Sequence, residues 1–598
     1  MTDGPHPTAA HLDASAPSHR VPTFLAFAFV ACVAAINLSG IGLLNPDEGR
    51  YVEVAREMIA TGDYVVPRID GHEHWTKPPG AYWAVAACLR ATDLTPWSAR
   101  IPAFCAALIA AAALFLLVRK VGGGQAAVAA VVVHATMLEP FALYRMATPD
   151  ALQSACVVTA IAAGFCGRDA AAAGFRGRAA GIRLLAYVAL GVSFVIKGPI
   201  ALLIYAAVWT ADFLPKGRRS VTAATIGRLA VRAAVCLAVV AAIGLPWFVV
   251  VASRRPELID YYLNNEVAGR YFTDQHNRSQ PFWFFLPVVL GGLLPWTAPA
   301  LAALVSAVRR RGPFGDMTMR ERDGARFLVA WFLGVLVLFS IGRSKLVTYI
   351  LPLLPAAAAL VGIAATRLLR TETPAAGRRA AVIVYGSIGA LGVGVAAAMR
   401  LRNAAPDSVV LATAALSAVV ATLGLIAANR LPIFRRIVAI ATVAALSLHG
   451  CLTVVARHED TLGINGDFAW LKDVFDAEKF TPAGVPLGVN ALHVRPEPPE
   501  APFAFYGAAV HTLELTYLRD LAEYFPQLVA DDARAEASRA RGEIDVAQFV
   551  AQSRPDHPVY IATRGRLIAE IEAKAGRKLV EVARRGRDRQ AVVLLRTP

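Results

Sequence analysis

Two adjacent carboxylates, Asp47 and Glu48, follow an Asn-Pro turn just after the first long apolar run of the sequence. At a membrane interface, partial desolvation raises the pKa of a carboxylate, which suits a general base. An N-cap and first-turn acids of a helix are the structural alternative, since the helix dipole favours negative charge there. The charged residues nearby favour catalysis by Asp47.

Three cations stand in segments that we expect on the same, outer side of a membrane: Lys77, Arg343 and Lys345. Lys and Arg normally accumulate in cytoplasmic loops, so these residues need another reason to be there. Binding of a lipid phosphate is the reason that we favour. A snorkelling Lys77 and a helix-end pair Arg343 and Lys345 are the structural alternatives.

Three further residues lie in the same predicted outer region. Asp150 opens an apolar run after Thr148-Pro149, where a first-turn helix acid is the alternative. Arg270 and His276 lie in a second long outer loop, and a single His is more often a surface residue than a ligand. No Asp-x-Asp pair occurs, so the usual metal clamp for a nucleotide sugar is absent.

Composition identifies the class of protein. The chain has 598 residues, of which 56% are hydrophobic and 17% charged, and this indicates a polytopic membrane protein. The net charge of +16 comes from Lys and Arg in short loops that alternate between apolar runs, which is the positive-inside pattern and not a nucleic-acid surface. The seven Cys lie in or beside apolar stretches and are interpreted as packing residues.

Apolar runs predict about thirteen transmembrane helices in residues 22–456, after a disordered cytoplasmic tail at 1–21. An odd number with basic loops inside puts the N-terminus in the cytoplasm and the C-terminus outside. The runs lie at 22–43, 98–118, 125–144, 149–166, 183–196, 199–215, 229–252, 281–306, 325–342, 346–366, 379–400, 407–428 and 433–456.

Two outer loops, 45–96 and 253–280, are longer than a connection requires. Within the first, the apolar spacing from Gly49 onwards predicts a helix in the membrane interface, and a second such element begins after Pro78-Pro79. Residues 457–598 predict a soluble α/β domain, with helices at 466–480 and 564–576 and strands at 559–563, 578–582 and 590–595.

The motifs of the first loop resemble the opening of bacterial aminoarabinose transferases and related protein O-mannosyltransferase-like enzymes. The segment 340–352 is similar to a later motif of the same group, whereas the C-terminal domain matches only in position and size. The motifs are NPDEGRY at 45–51, AREM at 55–58, GDYVVP at 62–67, WTKPP at 75–79 with YW at 82–83, SIGRSKL at 340–346 and YILP at 349–352.

The resemblance implies a GT-C fold and transfer of a sugar from a polyprenyl phosphate donor. It implies Asp47 as the principal catalytic carboxylate and Asp150 as a second one. Members are either metal-independent or metal-assisted, so the resemblance requires no metal and leaves a divalent metal as an open alternative. His276 is the candidate ligand for that metal, although Thr76 stands where the pattern often has Glu. The residues predicted to bind substrate are Glu48, Arg50, Tyr51, Lys77, Arg270, Arg343, Lys345 and Tyr349.

The function expected is an inverting transfer of 4-amino-4-deoxy-L-arabinose from undecaprenyl phosphate to lipid A, at the periplasmic face of a bacterial inner membrane. Such lipid A modification would imply polymyxin resistance. Transfer of another sugar, such as mannose, to a protein or envelope glycan is the alternative. Two other functions are less favoured. A lipid transporter would have ionisable residues in the middle of its spans, whereas here they are concentrated in the outer loops. A membrane scaffold would not explain the acids and cations of the first loop.

Overall fold

The computed structural model of the chain describes residues 20–36, 47–69, 72–92, 95–213, 222–256, 280–370, 441–450, 481–483, 500–506, 560–564, 568–585 and 592–598, with isolated positions such as 38, 43, 258 and 262. Residues 1–19 of the predicted tail, nearly all of the span at 379–400, the span at 407–428 and the helix at 466–480 lie outside these residues, whereas residues 20 and 21 of the predicted tail already belong to the first helix.

The membrane part is helical, as predicted. In chain order it contains α1 (Arg20–Ala35), α2 (Asp47–Thr61), a short hairpin of β1 (Arg68–Ile69) and β2 (His72–Glu73), α3 (Gly80–Ala91), α4 (Pro96–Ala135), α5 (Leu138–Leu143), α6 (Pro149–Ala172), α7 (Arg176–Lys197), α8 (Ile200–Phe213), α9 (Ala223–Arg254), α10 (Phe285–Gly292), α11 (Thr297–Arg309), α12 (Met319–Ile341), a 3-10 segment (Val347–Leu353), α13 (Leu354–Arg370) and α14 (Ala441–Gly450).

Among the described residues, six helices are long and apolar enough to cross a membrane, or seven if the bent pair α10 and α11 counts as one span. These numbers confirm a multi-pass membrane protein. The span predicted at 281–306 is formed by two helices, α10 and α11, which are bent by 113° relative to each other. Pro295 lies in the break, where its missing N–H prevents a continuous helix.

The two elements predicted in the first loop are helices. On α2, Tyr51, Val54 and Met58 are buried as the periodicity predicts, but Glu53 and Glu57 of the opposite face are buried too. The helix is therefore enclosed by protein on both faces. Helix α3 begins at Gly80, directly after Pro78-Pro79.

The helices pack through small residues. A Cβ at Gly362 of α13 would lie 2.6 Å from the carbonyl oxygen of Ala126 and 2.8 Å from the backbone nitrogen of Ala130, so these two helices are in backbone contact. Contacts of this kind are typical of membrane helices, whose association depends on close van der Waals packing.

A charged cluster joins three helices at the end of α6 remote from Asp150. Arg168 donates to Asp212 of α8 and to Asp323 of α12, at 2.8 Å in each case. Its guanidinium also lies against the rings of Phe165 and Trp209. Residues from several of the basic loops predicted to be cytoplasmic thus meet at one end of the bundle.

The C-terminal part contains a mixed five-stranded sheet in the order β3-β4-β5-β7-β6. The strands predicted at 559–563, 578–582 and 590–595 are confirmed to within three residues, and the helix predicted at 564–576 is present but begins four residues later, at Ile568. That this part forms a separate soluble domain stays a prediction. The elements are β3 (Thr481–Ala483), β4 (Glu500–Tyr506), β5 (Tyr560–Arg564), α15 (Ile568–Ala575), β6 (Val580–Arg585) and β7 (Val592–Arg596).

Candidate active site

A cavity of about 530 Å³ opens between the ends of several membrane helices. Cavities of roughly 300–1,000 Å³ are typical of ligand sites. Its polar lining includes Lys77, Asp150, Gln153, Lys197 and Tyr349. Most of the remaining wall is apolar, with contributions from Phe194, Leu203, Leu245, Phe248, Leu338 and Phe339.

An ion pair dominates the polar part of the wall. The Lys197 ammonium nitrogen lies 2.6 Å from Oδ1 of Asp150, and the two side chains are only 12% and 15% exposed. The same nitrogen lies 5.1 Å from the centre of the Tyr349 ring, within reach of a cation–π contact. A fixed, partly desolvated ion pair, whose ammonium group can attract an anion, therefore lines the cavity.

The helix ends explain why this pair forms. Pro149 occupies the first turn of α6, which a proline tolerates, and puts Asp150 in that turn. Helix α7 ends at Lys197, because Gly198 takes a φ of +78° that few other residues adopt. Since α6 and α7 pack side by side, the start of one lies beside the end of the other.

Lys77 approaches the cavity from the loop before α3. Its ammonium donates to the carbonyl oxygen of Thr76 at 2.7 Å. A Cβ at Gly80 would lie 2.8 Å from the Val195 carbonyl oxygen, so only glycine lets α3 approach α7 this closely. This contact brings Lys77 and Lys197 to the same cavity.

Glu48 is buried in a bridge within the protein. Its two oxygens accept from Arg100 at 2.9 and 2.7 Å, and one also accepts from the Ala147 N–H at 2.7 Å. Arg100 in turn donates to the Leu38 carbonyl oxygen at 2.6 Å. This is a structural arrangement; the prediction that Glu48 binds substrate stays a prediction.

The other predicted residues of α2 lie near its start. Asp47 is the first residue of the helix, which thus begins two residues before the start predicted at Gly49, and its catalytic role stays a prediction. Tyr51 is buried against Tyr82, with ring centres 5.7 Å apart. The Arg50 guanidinium lies 5.3 Å from the Tyr51 ring.

Of the residues predicted to bind substrate between α12 and the end of the 3-10 segment, only one lines the cavity. Tyr349 lines the cavity, whereas Arg343 and Lys345 are not part of its wall. Lys345 is buried and donates to the carbonyl oxygens of Gln280, at 2.9 Å, and Gly342. Burial lowers the pKa of this ammonium group. Phosphate binding by Arg343 and Lys345 stays a prediction.

Arg270 and His276 lie outside the described residues, so the predicted contacts of both stay predictions. Within the part of the chain that the structure describes, no group of three or more His, Cys, Asp or Glu side chains is placed to hold a metal ion. The Thr76 hydroxyl, at the position of the pattern's Glu, lies 2.7 Å from Nε2 of His74.

Sequence reasoning missed two residues of this region. They are Lys197 and Gln153, which both line the cavity but belong to none of the motifs. A signal for Lys197 was available, because a cation at the outer end of a span opposes the positive-inside bias just as Lys345 does. The pairing with Asp150, by contrast, depends on the packing of α6 and α7.

Comparisons with known proteins agree with the motifs. Residues 76–247 match the family described as dolichyl-phosphate-mannose-protein mannosyltransferase. The undecaprenyl phosphate-alpha-4-amino-4-deoxy-L-arabinose arabinosyl transferase of Photorhabdus laumondii is 27% identical over 56% of this chain and 57% of its own length. That of Edwardsiella ictaluri is 32% identical over 53% of this chain and 54% of its own length. The chain spans just over half the length of these curated relatives.

A crystal structure of ArnT from Cupriavidus metallidurans bound to undecaprenyl phosphate has the same fold. It superposes with a TM-score of 0.71 at 23% identity and covers 96% of this chain and 97% of that protein. The spans and the bacterial relatives indicate a multi-pass protein of a bacterial inner membrane. The chain is related to the bacterial aminoarabinose transferases, as its motifs predict, and has their GT-C-type membrane fold.

Proposed function

We propose that the chain transfers 4-amino-4-deoxy-L-arabinose from undecaprenyl phosphate to lipid A. The observation that carries this is the cavity itself, which combines an apolar wall with the cations Lys77 and Lys197. A polyprenyl phosphate matches both parts of this cavity, since its apolar chain ends in an anionic phosphate. The names of the bacterial relatives support this donor and this sugar.

In this proposal the polyprenyl phosphate is the leaving group. Negative charge grows on its phosphate as the bond to the sugar breaks, and Lys77 and Lys197 stabilise that charge in a site whose wall is mostly apolar. Asp150 fixes the position of Lys197 through the 2.6 Å contact. Fixed cations of this kind stabilise the transition state without a reorganisation cost.

The role of Asp47 depends on the acceptor. A lipid A phosphate is mostly ionised at neutral pH, because its second pKa is about 6. Asp47 would then orient the substrates and stabilise positive charge on the sugar. With a hydroxyl acceptor, as on a protein or glycan, Asp47 would act as the general base.

No metal is required in this proposal. Thr76 stands where the family pattern often has Glu, and two lysines already supply positive charge at the cavity. Transfer by the purified protein should therefore be the same before and after treatment with a chelator. Restoration of lost activity by one divalent ion would contradict this part of the proposal.

For the orientation, we propose that the Arg168 end of the bundle faces the cytoplasm. The N-terminus would then be cytoplasmic, and the cavity and the C-terminal domain periplasmic. Labelling of single cysteines by a membrane-impermeant reagent in intact spheroplasts tests this. We expect label at position 90, in α3, and none at position 316, just before α12. The opposite result would show that the Arg168 end of the bundle faces the periplasm.

The proposal is tested by transfer from a synthetic undecaprenyl-phosphate aminoarabinose to lipid A, with the purified chain in nanodiscs. Asp47→Asn should lower kcat by at least about 100-fold, because the positive charge that develops on the sugar loses a stabilising carboxylate. The control is Asp316→Asn, which alters an exposed acid outside the cavity and should keep full activity. Absence of transfer by the wild type to lipid A, peptide and glycan acceptors would overturn the enzyme assignment.

A further inference from the structure

A second cavity, of about 310 Å³, lies next to the first. The two are neighbours because Val251 of α9 lines both. The second cavity is much more polar, with three arginines, two acids and three apolar residues in its wall. These residues are Arg68, Arg254, Arg255, Asp63, Glu73, Val66, Trp75 and Val251.

One short loop separates the two cavities. Glu73 and Trp75 line the second cavity, which we call the basic cavity, whereas Thr76 and Lys77 line the first, which we call the donor cavity. Trp75 is almost fully buried and packs against Trp247, with ring centres 6.2 Å apart. The wall between the cavities is therefore well packed, and a group held in one lies close to a group held in the other.

Two of the three arginines are held in position by the two acids. Arg68 lies 2.7 Å from Asp63, and Arg255 lies 3.3 Å from Glu73. Partial burial acts to raise the pKa of Asp63, but the hydrogen bonds from Arg68 and from the Val65 and Val66 N–H groups outweigh this and leave it below its usual value. Asp63 is therefore ionised at neutral pH.

Arg254 is the unpaired member of the set. Among the described residues its side chain makes no hydrogen bond or ion pair, although it lines the cavity. With two arginines matched by two carboxylates, one positive charge is left over. A guanidinium is well suited to bind phosphate, because two of its N–H groups can donate to two oxygens at once.

We infer that this basic cavity binds a phosphate monoester of the acceptor, other than the phosphate that receives the sugar. The inference rests on the proposed function, in which the acceptor is a lipid with more than one phosphate. A monoester carries a charge of about −1.5 to −2 at neutral pH, which matches Arg254 with help from Arg68 and Arg255. A phosphodiester of a bulk phospholipid carries less charge. Bulk phospholipid also takes no part in the transfer, so a site for it beside the donor cavity is not expected.

The test compares two acceptors in nanodiscs of neutral lipid, with synthetic undecaprenyl-phosphate aminoarabinose as donor. One is bisphosphorylated lipid A and the other is lipid A with a single phosphate. Arg254→Gln should raise the KM for the bisphosphorylated acceptor about tenfold. The KM for the donor, the kcat, and the KM for the monophosphorylated acceptor should stay unchanged, and Arg254→Lys should recover part of the loss.

The matched control is Arg90→Gln, which removes one exposed arginine of α3 that lines neither cavity. The inference is overturned if Arg254→Gln behaves like this control, or if it affects both acceptors equally. It is also overturned if the effect arises only when phosphatidylglycerol is added, since the cavity would then bind bulk lipid. Failure of the wild type to transfer at all would instead refute the proposed function.

Discussion

At the residue scale, the Lys197 ammonium group combines a fixed position with a fixed charge. Asp150 holds it at 2.6 Å, and the Tyr349 ring covers it. Removing it has two consequences for an anionic donor, because a favourable charge is lost and the Asp150 carboxylate is left facing the cavity.

Lys197→Ala should therefore lower kcat/KM for the donor by about 10- to 100-fold, the range expected for loss of one hydrogen bond to a charged group. Steady-state kinetics with varied donor measure this. Lys120→Ala, on the opposite part of the bundle, is the control and should be neutral. Equal kinetics for both variants would remove Lys197 from the site.

Glu48 is the residue for which a structural role and a substrate role give different results. Because Glu48→Gln breaks a buried pair with Arg100, it should lower the free energy of unfolding by about 3–5 kcal/mol. Thermal unfolding in detergent measures this change. A variant with wild-type stability and poor transfer would instead support the predicted contact of Glu48 with substrate.

At the element scale, the approach of α3 to α7 decides where Lys77 lies. Gly80→Ala places a Cβ 2.8 Å from the Val195 carbonyl oxygen, so the two helices must separate. We expect kcat/KM to fall by about 10- to 100-fold, since small displacements of positioning groups are costly.

The control for Gly80→Ala is Gly181→Ala in α7, where an added Cβ meets no atom within 4 Å. This change should leave transfer intact and stabilise the helix slightly, because alanine is the better helix former. Full activity of Gly80→Ala would mean that the α3–α7 contact does not position Lys77.

The same elements indicate how far the sequence could predict the site. Helices α2 and α3 follow from local signals, namely the apolar spacing after Gly49 and the Pro78-Pro79 start. The Asp150–Lys197 pair does not, because it joins residues from two helices whose packing is a tertiary property. The direction of the Lys345 side chain also depends on neighbours, here the carbonyl oxygens of Gln280 and Gly342.

At the scale of the whole molecule, the cavity and the Arg168 cluster occupy opposite ends of α6. Residues 150 and 168 are about 27 Å apart along the helix axis. The positions of Lys and Arg in the sequence predict this difference between the two ends, because they place the basic loops together on one side of the membrane. They could not predict the 113° bend between α10 and α11, which arises within one continuous apolar run.

Arg168→Gln should lower the free energy of unfolding by about 1–3 kcal/mol, because the buried Asp212 loses a charged partner at 2.8 Å. The KM for donor should not change. Arg320→Gln is the matched control, since its pair with Asp169 is exposed and should contribute less than about 1 kcal/mol. A change in KM without a change in melting temperature would contradict a purely structural role for Arg168.

In the proposed function, the cavity of about 530 Å³ holds the polyprenyl phosphate. This is tested most directly by photocrosslinking with an undecaprenyl phosphate that carries a diazirine in its first isoprene unit, followed by mass-spectrometric mapping. We predict labels on Phe194, Phe248 or Leu338, removed by excess unlabelled undecaprenyl phosphate. Labels confined to helices that do not line the cavity, or labels that excess ligand fails to remove, would show that the donor does not bind in this cavity.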